Sequence, residues 1–254
     1  MSEQTLKTVK SEVEIRIQKE DLEQIVLSSS LLVQQMTLTF TPEGLSVRML
    51  DPSHVAMIHV SLPNSCFEKY LVEQDLVFAV NVDEFLKTIK IFDKNSWIDL
   101  RVKDEILVLS RKSEKYKLRL VEPASNDTPL PKIPYDSNVT FDQEITVKDF
   151  IKQTDKINIF SDYITLKTTN NIFKISGKGD SGEAENSFEH GQVSIRNNQD
   201  SEGTYSFEYV KPYLKTVKDL PLTLEYSSNK PLRLDSKLAN IGRLHFYLAP
   251  RVES

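Results

Sequence analysis

Serine and histidine chemistry is the first possibility that the residues of this sequence raise. The segment Gly179-Asp180-Ser181-Gly182 has the spelling of a serine-protease nucleophile. Such a serine needs a histidine and an aspartate held in a rigid frame, and the upstream histidines, His54 and His59, lie in no supporting motif. A glycine-rich turn after a strand explains the segment better. We therefore expect no catalytic residue, and a hydrolase that uses Ser181 is an alternative that a Ser181→Ala variant tests.

The sequence contains no motif typical of a metal or cofactor site. Its four histidines and one cysteine have no spacing typical of a metal site, and no glycine-rich phosphate loop of the form G-x-x-x-x-G-K-[ST] occurs. We expect neither a metal nor a cofactor. The single cysteine, Cys66, excludes a disulfide within the chain and is typical of a reducing compartment.

Lysine is the residue type whose spacing does indicate a function. Three segments, which begin at Val82, Val147 and Val210, follow the i, i+3, i+4, i+7 template of a helix with one apolar face. Seven of the nine residues at +1, +5 and +8 from these valines are lysines: Lys87 and Lys90, Lys148 and Lys152, and Lys211, Lys215 and Lys218. Lysine is a flexible point charge that suits sequence-independent contact with phosphates. These stripes are therefore candidates to face DNA, and an ordinary solvated helix face is the alternative.

Because the chain is acidic overall, the DNA interpretation requires the lysines to cluster on one surface. The 254-residue chain has a formal net charge of -5, whereas phosphate binding needs clustered lysine and arginine. A positive stripe on an acidic protein fits a surface that meets DNA while the rest of the molecule repels it. A fourth helix, expected around residues 22–26, has Glu23, Leu27 and Ser30 at the equivalent positions. We therefore expect the basic lining to be incomplete there.

A duplication positions these helices. Phe85-Leu86-Lys87-Thr88-Ile89-Lys90 recurs as Tyr213-Leu214-Lys215-Thr216-Val217-Lys218, a shift of 128 residues. Each copy is followed by alternating apolar and polar residues, the period of a strand with one buried face, and each half ends in such a strand closed by proline, at Pro123 and Pro250. Two further strands are predicted to form a hairpin around Pro42-Glu43-Gly44. The pattern predicts two similar α+β domains, not alternating βαβ units.

A proline-rich segment separates the two halves. Residues 121–134 contain Pro123, Pro129, Pro131 and Pro134. Because proline lacks a backbone donor and fixes its φ angle, we expect an extended segment with few strand contacts. We predict an N-terminal domain over residues 1–120, a connecting loop over 121–134 and a C-terminal domain over 135–254.

The composition is typical of a soluble globular protein. Apolar residues make up 39% of the chain and charged residues 27%, and the apolar runs are far shorter than the roughly 20 residues that span a bilayer. The first five residues lack the apolar core of a signal peptide. We expect no membrane partner.

Three segments resemble the motifs of one known family. Gly44–Val55, which ends in Asp51-Pro52-Ser53-His54-Val55, resembles the strand leading into Asp-x-Ser-His-Val in DNA sliding clamps of the proliferating cell nuclear antigen (PCNA) family. Phe246–Glu253 is similar to the closing Leu-Ala-Pro-basic segment of that family, and Leu130–Pro134 looks like the end of its interdomain connecting loop. The segments occur in the family's order, and the similarity, which begins near Glu12, is closer to archaeal than to eukaryotic members.

The resemblance implies a non-enzymatic processivity factor for DNA polymerase. The implied fold has two topologically similar sliding-clamp domains per chain, and three chains joined head to tail form a six-domain ring whose helices line a central hole. A homotrimer is the main expectation, one subunit of a heterotrimer is an alternative, and a two-domain scaffold that never meets DNA is another. The implied partners are double-stranded DNA, which the ring encircles, a clamp loader, and DNA polymerase, flap endonuclease and DNA ligase, which bind through PIP-box peptides. The implied location is the cytoplasm, with the nucleoid, in an archaeon, or the nucleus in a eukaryote.

The resemblance also implies two protein-binding sites. Subunits are expected to join through edge strands, one containing Tyr116, Lys117 and Leu118 and the other Phe173, Lys174 and Ile175. Partner peptides, which carry a glutamine, an aliphatic residue and two aromatic residues, are expected in an apolar pocket beneath the connecting loop. Plain core packing is the alternative for two of the pocket residues, Leu50 and Leu248, and a turn is the alternative for His54. The matching pocket positions are Leu50, His54, Val55, Leu130, Ile133, Tyr135, Pro231, Tyr247, Leu248, Ala249 and Pro250.

Overall fold

Four α-helices and 18 strands form the part of the chain that is described by the structure, a computed structural model covering residues 13–103, 105–123, 129–141, 146–188, 191–196 and 199–251. The helices are α1 (Lys19–Ser29), α2 (Val82–Ile91), α3 (Val147–Ile157) and α4 (Phe207–Thr216). The strands are β1 (Val13–Gln18), β2 (Gln35–Thr41), β3 (Gly44–Leu50), β4 (Ala56–Pro63), β5 (Lys69–Leu71), β6 (Leu76–Asn81), β7 (Trp97–Lys103), β8 (Ile106–Arg111), β9 (Glu114–Arg119), β10 (Ser137–Phe141), β11 (Tyr163–Thr169), β12 (Ile172–Gly179), β13 (Gly182–Phe188), β14 (Val193–Arg196), β15 (Ser201–Ser206), β16 (Leu222–Tyr226), β17 (Leu232–Leu238) and β18 (Gly242–Leu248). Glu12, residues 124–128 of the connecting loop, His190 and the closing Val252 and Glu253 lie outside the described residues.

Side-chain caps fix where three of the helices begin, and at α4 the cap is the Ser206 side chain, which accepts a hydrogen bond from the backbone N–H of Glu208 at 3.2 Å. The Asn81 side chain accepts a hydrogen bond from the backbone N–H of Glu84 at the start of α2, at 3.0 Å. Thr146 and Asp149 form a reciprocal capping box at the start of α3. Each cap satisfies backbone donors that the first helical turn leaves without partners.

The fourth helix differs from its prediction at both ends. It begins at Phe207, three residues before the predicted Val210, and it ends at Thr216. Lys218 therefore lies in the following turn and not on the helix as predicted. At this end Val217 has a φ of -100° and a ψ of 12°, outside the α-helical range.

The strands form three sheets. Five strands from the first half pair in the order β5-β1-β7-β8-β9, and four strands from the second half pair in the order β13-β12-β11-β15. A nine-stranded sheet crosses both halves in the order β14-β10-β16-β17-β18-β4-β3-β2-β6. The β2–β3 pairing, with Thr41 opposite Gly44, confirms the hairpin that was predicted around Pro42-Glu43-Gly44.

The duplication is visible in the strand order. The five-stranded sheet of the first half has the same order and hairpins as the β14-β10-β16-β17-β18 part of the large sheet, and β4-β3-β2-β6 corresponds to β13-β12-β11-β15. Within the chain, the two halves join where β18 pairs antiparallel with β4. Their equivalents, β9 and β13, both lie at a sheet edge and pair on one side only. The predicted pair of similar α+β domains is therefore confirmed, while the exact boundaries at 120 and 134 stay a prediction.

One of the two predicted edge strands is wrong. Phe173, Lys174 and Ile175 lie in β12, which pairs with β11 on one side and with β13 on the other. The short turn at Asp180-Ser181 folds β13 back onto β12, so β13 occupies the edge. The other prediction is confirmed, because Tyr116, Lys117 and Leu118 lie in the edge strand β9.

The helices cover the buried faces of the sheets. They pack against one another in the order α2, α1, α4, α3, and Phe85, Phe150 and Tyr213 on their inner faces are buried. The lysine positions of these helices therefore point away from the core. No helix among the described residues is long and apolar enough to cross a bilayer.

The connecting loop makes few regular contacts. Its first residue, Val121, donates a backbone hydrogen bond to Ala79 of β6 at 2.9 Å. Beyond this bridge, residues 122–123 and 129–134 form neither helix nor strand.

Candidate functional site

Helices α2, α3 and α4, with the turn after α4, present the predicted lysines on the outward side of the helical layer. We call Lys87, Lys90, Lys148, Lys152, Lys211, Lys215 and Lys218 the lysine surface. Six of them are exposed and Lys211 is half-buried. Within the described part of the chain, the side chains of Lys87, Lys90, Lys215 and Lys218 form no ion pair, so their full charge is available to an anion.

The other three lysines are partly neutralised within the chain. Lys148 lies 2.5 Å from Asp219, Lys152 lies 2.9 Å from Asp149, and Lys211 lies 2.8 Å from Asp155. The hydrogen bond from Lys152, helped by Thr146, lowers the pKa of Asp149 to about 2, so this carboxylate stays charged at neutral pH. Because each of these lysines has a carboxylate beside it that repels an anion, the three are weaker candidates for anion contact than the four unpaired ones.

Helix α1 interrupts the lysine surface, as predicted. Its first residue, Lys19, is buried and hydrogen-bonds Glu23 four residues later. Since α1 packs between α2 and α4, the positive charge falls into one group on α2 and another on α3 and α4.

An apolar patch lies on the opposite, outer face of the large sheet. Leu50 of β3 lies opposite Met57 of β4, and Met57 lies opposite Tyr247 of β18. These three side chains, the apolar patch, share one face because directly opposed residues of antiparallel strands point to the same side. Leu50 is half-exposed, whereas Met57 and Tyr247 are only 4% and 5% exposed.

The residue after the connecting loop borders this patch. The Tyr135 ring lies under the Arg233 guanidinium, 5.1 Å from ring centroid to Cζ, and Arg233 lies opposite Tyr247 in the sheet. Burial raises the pKa of Tyr135 strongly, so its hydroxyl stays protonated at neutral pH. Arg233 is also hydrogen-bonded to Glu225, which places a charged boundary on this side of the apolar patch.

A second boundary is a row of polar side chains two residues away along the strands. Arg48, His59, His245 and Asp235 lie opposite one another across β3, β4, β18 and β17. The His245 Nε2 atom lies 3.1 Å from Asp235. Burial, with His245 and Arg48 nearby, lowers the pKa of His59 to about 4, so His59 is neutral at physiological pH.

Asp51 organises the loop that carries His54. Its buried carboxylate accepts hydrogen bonds from the backbone N–H groups of Ser53, Val55 and Ala56 at 3.1, 2.7 and 2.6 Å. The Tyr209 hydroxyl of α4 donates a fourth bond, at 3.2 Å. This network holds His54, which is exposed and has a φ of 59°, at the end of the strand that supplies Leu50. His54 therefore lies in a turn, the alternative that the sequence offered, and its exposure leaves it free to contact a ligand, so its place in the pocket stays a prediction.

The other predicted pocket residues differ in exposure, and their place in one pocket stays a prediction. Val55, Leu130, Ile133, Pro231, Ala249 and Pro250 are half-exposed, and the Ala249 N–H donates to the Val55 carbonyl at 2.9 Å. Leu248 is fully buried in the core. It follows Tyr247 in a strand and so points to the other face, which corrects the prediction that its side chain lines a surface pocket.

Met57 is a patch residue that the sequence prediction missed. A signal was present, because the run Ala56-Met57-Ile58 breaks the alternation of apolar and polar residues at the position that should face outward. Met49-Leu50 and Phe246-Tyr247-Leu248 break it in the same way. Strand register, which brings the three breaks into one row, was the missing information.

The candidate catalytic serine lies in a turn. Ser181 is exposed between β12 and β13, as the glycine-rich turn interpretation predicted. Within the described residues, no three His, Cys, Asp or Glu side chains are grouped so that they could hold a metal ion.

Two family models match almost the whole length of the chain. The model described as the N-terminal domain of proliferating cell nuclear antigen matches residues 13–122, and the model of its C-terminal domain matches residues 130–251. The chain belongs to the proliferating cell nuclear antigen family. The sequence resemblance to PCNA is therefore confirmed.

Archaeal relatives agree with this assignment. The DNA polymerase sliding clamp of Nitrosopumilus maritimus is 46% identical over 92% of this PCNA chain and 96% of its own length. The DNA polymerase sliding clamp of Cenarchaeum symbiosum is 43% identical over the same shares. The function is that of a DNA polymerase sliding clamp, as expected from the sequence, and this family consists of non-catalytic processivity factors.

Solved PCNA structures share the fold. A structure of the C-terminal region of FEN-1 bound to A. fulgidus PCNA matches with a TM-score of 0.86 and 23% identity, over 95% of this chain and 99% of that one. The PCNA2–PCNA3 complex from Sulfolobus tokodaii matches with a TM-score of 0.82 and 24% identity, over 94% and 100%. The expected two-domain clamp fold is therefore confirmed.

Proposed function

We propose that this protein forms a homotrimeric ring that encircles double-stranded DNA and is placed there by a clamp loader. In this proposal the ring tethers DNA polymerase, flap endonuclease and DNA ligase through their PIP-box peptides. The chain itself catalyses no reaction. The archaeal relatives support a cytoplasmic location with the nucleoid.

The junction between the two halves is the observation that carries the ring proposal. Within the chain, β18 of the second half pairs with β4 of the first half. The equivalent strands β9 and β13 are both at sheet edges, and unpaired strand edges seek partners. If β9 of one copy pairs with β13 of the next, every copy repeats the junction that already exists inside the chain. A head-to-tail contact that repeats by rotation closes into a ring.

The lysine surface is suited to hold DNA loosely. A closed ring retains DNA by topology, so its contacts with phosphates need not be strong. Four unpaired lysines per chain supply point charges without the bidentate geometry that fixes a register on DNA. We infer that the lysine surface lines the hole and lets the ring slide.

The apolar patch is suited to bind partner peptides. On the outer face, the half-exposed Leu50 lies beside the nearly buried Met57 and Tyr247, and Tyr135 and the loop that carries His54 border this patch. Aliphatic and aromatic side chains of a short amphipathic helix bind such surfaces. The A. fulgidus PCNA structure, which has the same fold, contains the C-terminal region of FEN-1, and this supports the proposal that the chain binds partner proteins.

We expect the protein to be retained on circular DNA and lost from linear DNA. A ring that is loaded onto nicked circular DNA has no end to leave from, whereas linearisation opens one. The measurement is gel filtration of the DNA-bound fraction after loading by the cognate loader and ATP, before and after cutting the circle once. Equal retention on both forms would show that the protein binds DNA by affinity and not by encirclement.

Reversing the unpaired lysines should weaken the clamp on DNA. For the triple variant Lys87→Glu, Lys215→Glu and Lys218→Glu, we expect polymerase stimulation on primed circular DNA to fall about tenfold at low salt, because the hole would repel phosphates. The matched control is Lys237→Glu, an exposed lysine on the outer side of β17, which should keep normal stimulation. Undiminished stimulation by the triple variant would instead support an ordinary solvated face.

A further inference from the structure

We propose that the ring closes in one defined register, in which Lys117 of one subunit lies opposite Glu185 of the next and Arg119 lies opposite Glu183. The proposal rests on the ring described above and specifies its interface. It assigns both partners of the contact to copies of this chain, since each chain carries a basic edge strand, β9, and an acidic edge strand, β13.

The internal duplication supplies the first equivalence, between β9 and β18. A shift of 128 residues, the same as between the repeated helix segments, places Tyr116 on Leu244 and Leu118 on Phe246. These four side chains share the inward side of their strands, since the first two are half-buried against the core and the last two are buried in it. Lys117 then corresponds to His245, and Arg119 corresponds to Tyr247.

The second equivalence, between β4 and β13, follows from their hairpins. Asp51 lies opposite Ala56 at the end of the β3–β4 hairpin, where the Asp51 N–H donates to the Ala56 carbonyl at 2.9 Å. Gly179 lies opposite Gly182 at the end of the β12–β13 hairpin. Four residues, 52–55, lie between Asp51 and Ala56, whereas only two, 180 and 181, lie between Gly179 and Gly182. The shift in residue number is therefore 128 from β3 to β12 and 126 from β4 to β13.

This shift also matches the burial pattern. It places Ile58 on Ala184, Val60 on Asn186 and Leu62 on Phe188, all of which lie on the inward side of their strands. Glu185 then corresponds to His59, and Glu183 corresponds to Met57.

The register of the internal junction now gives the register between subunits. Inside the chain, His245 lies opposite His59 and Tyr247 lies opposite Met57. Transferred to β9 and β13, these pairs become Lys117 opposite Glu185 and Arg119 opposite Glu183. The inward pairs become Tyr116 opposite Asn186 and Leu118 opposite Ala184, which would continue the core across the contact.

Exposure and charge agree with this register. Lys117, Arg119, Glu183 and Glu185 are all exposed, and opposed residues of an antiparallel pair have Cβ atoms about 5 Å apart, within reach of an ion pair. Glu185 already lies 2.8 Å from Lys174 of its own chain, so it would sit between two lysines. Of the predicted interface residues, Lys174 would therefore act from the second strand, β12, through Glu185, whereas Phe173 and Ile175 are buried in the core.

The same charges disfavour the wrong pairings. Two β9 strands would bring Lys115, Lys117 and Arg119 together, and two β13 strands would oppose Glu183 and Glu185. Like charges across an interface cost stability and select against that partner. The internal junction has no such charge pairs, since it joins His59 to His245 and Met57 to Tyr247. Strands β4 and β18 of this junction belong to the same chain, so they need no charge pairs to select the correct partner.

Charge reversal tests the proposal by native mass. A trimer has a mass of about 87 kDa, three times the chain mass of 29.1 kDa. For Lys117→Glu with Arg119→Glu, and for Glu183→Lys with Glu185→Lys, we expect the concentration at half-assembly to rise at least about 30-fold by light scattering. The variant with all four changes should assemble within about threefold of the wild type, since its edges are again complementary. All four side chains are exposed, and circular dichroism checks that each variant is folded.

A mixture of the two double variants sharpens the result. One variant has two acidic edges and the other has two basic edges, so complementary contacts occur only between unlike chains. A ring of three must contain one contact between like chains. We therefore expect the mixture to give mainly pairs of about 58 kDa, twice the chain mass, and not closed trimers. Closed trimers from the mixture, or unchanged trimers from either double variant alone, would overturn the charge pairing.

Crosslinking separates the register from the ring itself. In a Cys66→Ser background, Lys117→Cys with Glu185→Cys should join neighbouring subunits by disulfides, and Lys117→Cys with Glu183→Cys should not, because those positions are two residues out of register. If the wild type is a trimer but only the second cysteine pair forms disulfides, the register would be contradicted and the ring would not. A wild-type protein that stays monomeric would contradict the proposed function as well.

Discussion

Replacing Asp51 with alanine is expected to lower the free energy of unfolding by about 3 kcal/mol, since three backbone N–H groups, that of the buried Ala56 among them, would lose their acceptor. Asp51 is 4% exposed, so water cannot replace the carboxylate without opening the loop. The same change should release the segment that carries His54 and weaken partner-peptide binding. Urea denaturation followed by circular dichroism measures the first effect, and fluorescence anisotropy of a labelled PIP-box peptide measures the second.

Two conservative variants separate the contributions of Asp51. Asp51→Asn keeps one acceptor oxygen and should lose about half as much stability as Asp51→Ala. Tyr209→Phe removes one hydrogen bond from the same carboxylate and leaves the three backbone bonds, so it should cost only about 1 kcal/mol. If Asp51→Ala unfolded at the same urea concentration as the wild type, the loop would be held by its packing and not by the carboxylate.

Local patterns were sufficient to predict the helices and the first hairpin. The i, i+3, i+4, i+7 template located α2, α3 and α4 because their inner faces are consistently apolar, as with Phe85 and Phe150. The Pro42-Glu43-Gly44 turn located the β2–β3 hairpin because alternating residues flank it. These features depend on neighbours in sequence, which is why the sequence alone was enough.

The edge of the second small sheet could not be predicted in the same way. Strand β13 reads Gly-Glu-Ala-Glu-Asn-Ser-Phe, and its inward positions include Ala184 and Asn186, so it lacks the apolar alternation that reveals a strand. The resemblance assigned the edge to the strand of Phe173 and Ile175, and no apolar pattern in the sequence revealed β13 beyond that strand. The weak pattern has a physical origin, because an edge strand that awaits a partner is only half-buried in the single chain.

The lysine surface shows a second limit of sequence patterns. Helical periodicity placed Lys152 and Lys211 on equivalent faces, and both are there. It could not show that Lys211 reaches Asp155 on the neighbouring helix, because that pair depends on how α3 and α4 pack. The charge available to an anion is therefore smaller than the number of lysines suggests, and it is concentrated in the four unpaired side chains.

Changing Leu50 to aspartate is expected to weaken partner-peptide binding about 100-fold, or about 2.7 kcal/mol, while the protein stays folded. Leu50 is half-exposed, so a carboxylate at this position can keep its water in the free protein. A bound peptide would bury the charge against Met57 and Tyr247 without a partner, which is costly in an apolar site. The measurement is the anisotropy titration of a labelled PIP-box peptide, and circular dichroism confirms folding.

Leu71→Asp is the matched control, because Leu71 is also an aliphatic residue in a strand and is 53% exposed, but it lies on β5, in a different sheet. It should bind the peptide as the wild type does. The comparison distinguishes a specific site from general surface hydrophobicity, since both variants remove one exposed leucine and add one charge. If both variants lost peptide affinity equally, the peptide would bind exposed apolar side chains non-specifically. If both variants kept the wild-type affinity, the peptide site would lie away from the apolar patch. Only a loss confined to Leu50→Asp ties partner binding to the row in which three strands break their alternation.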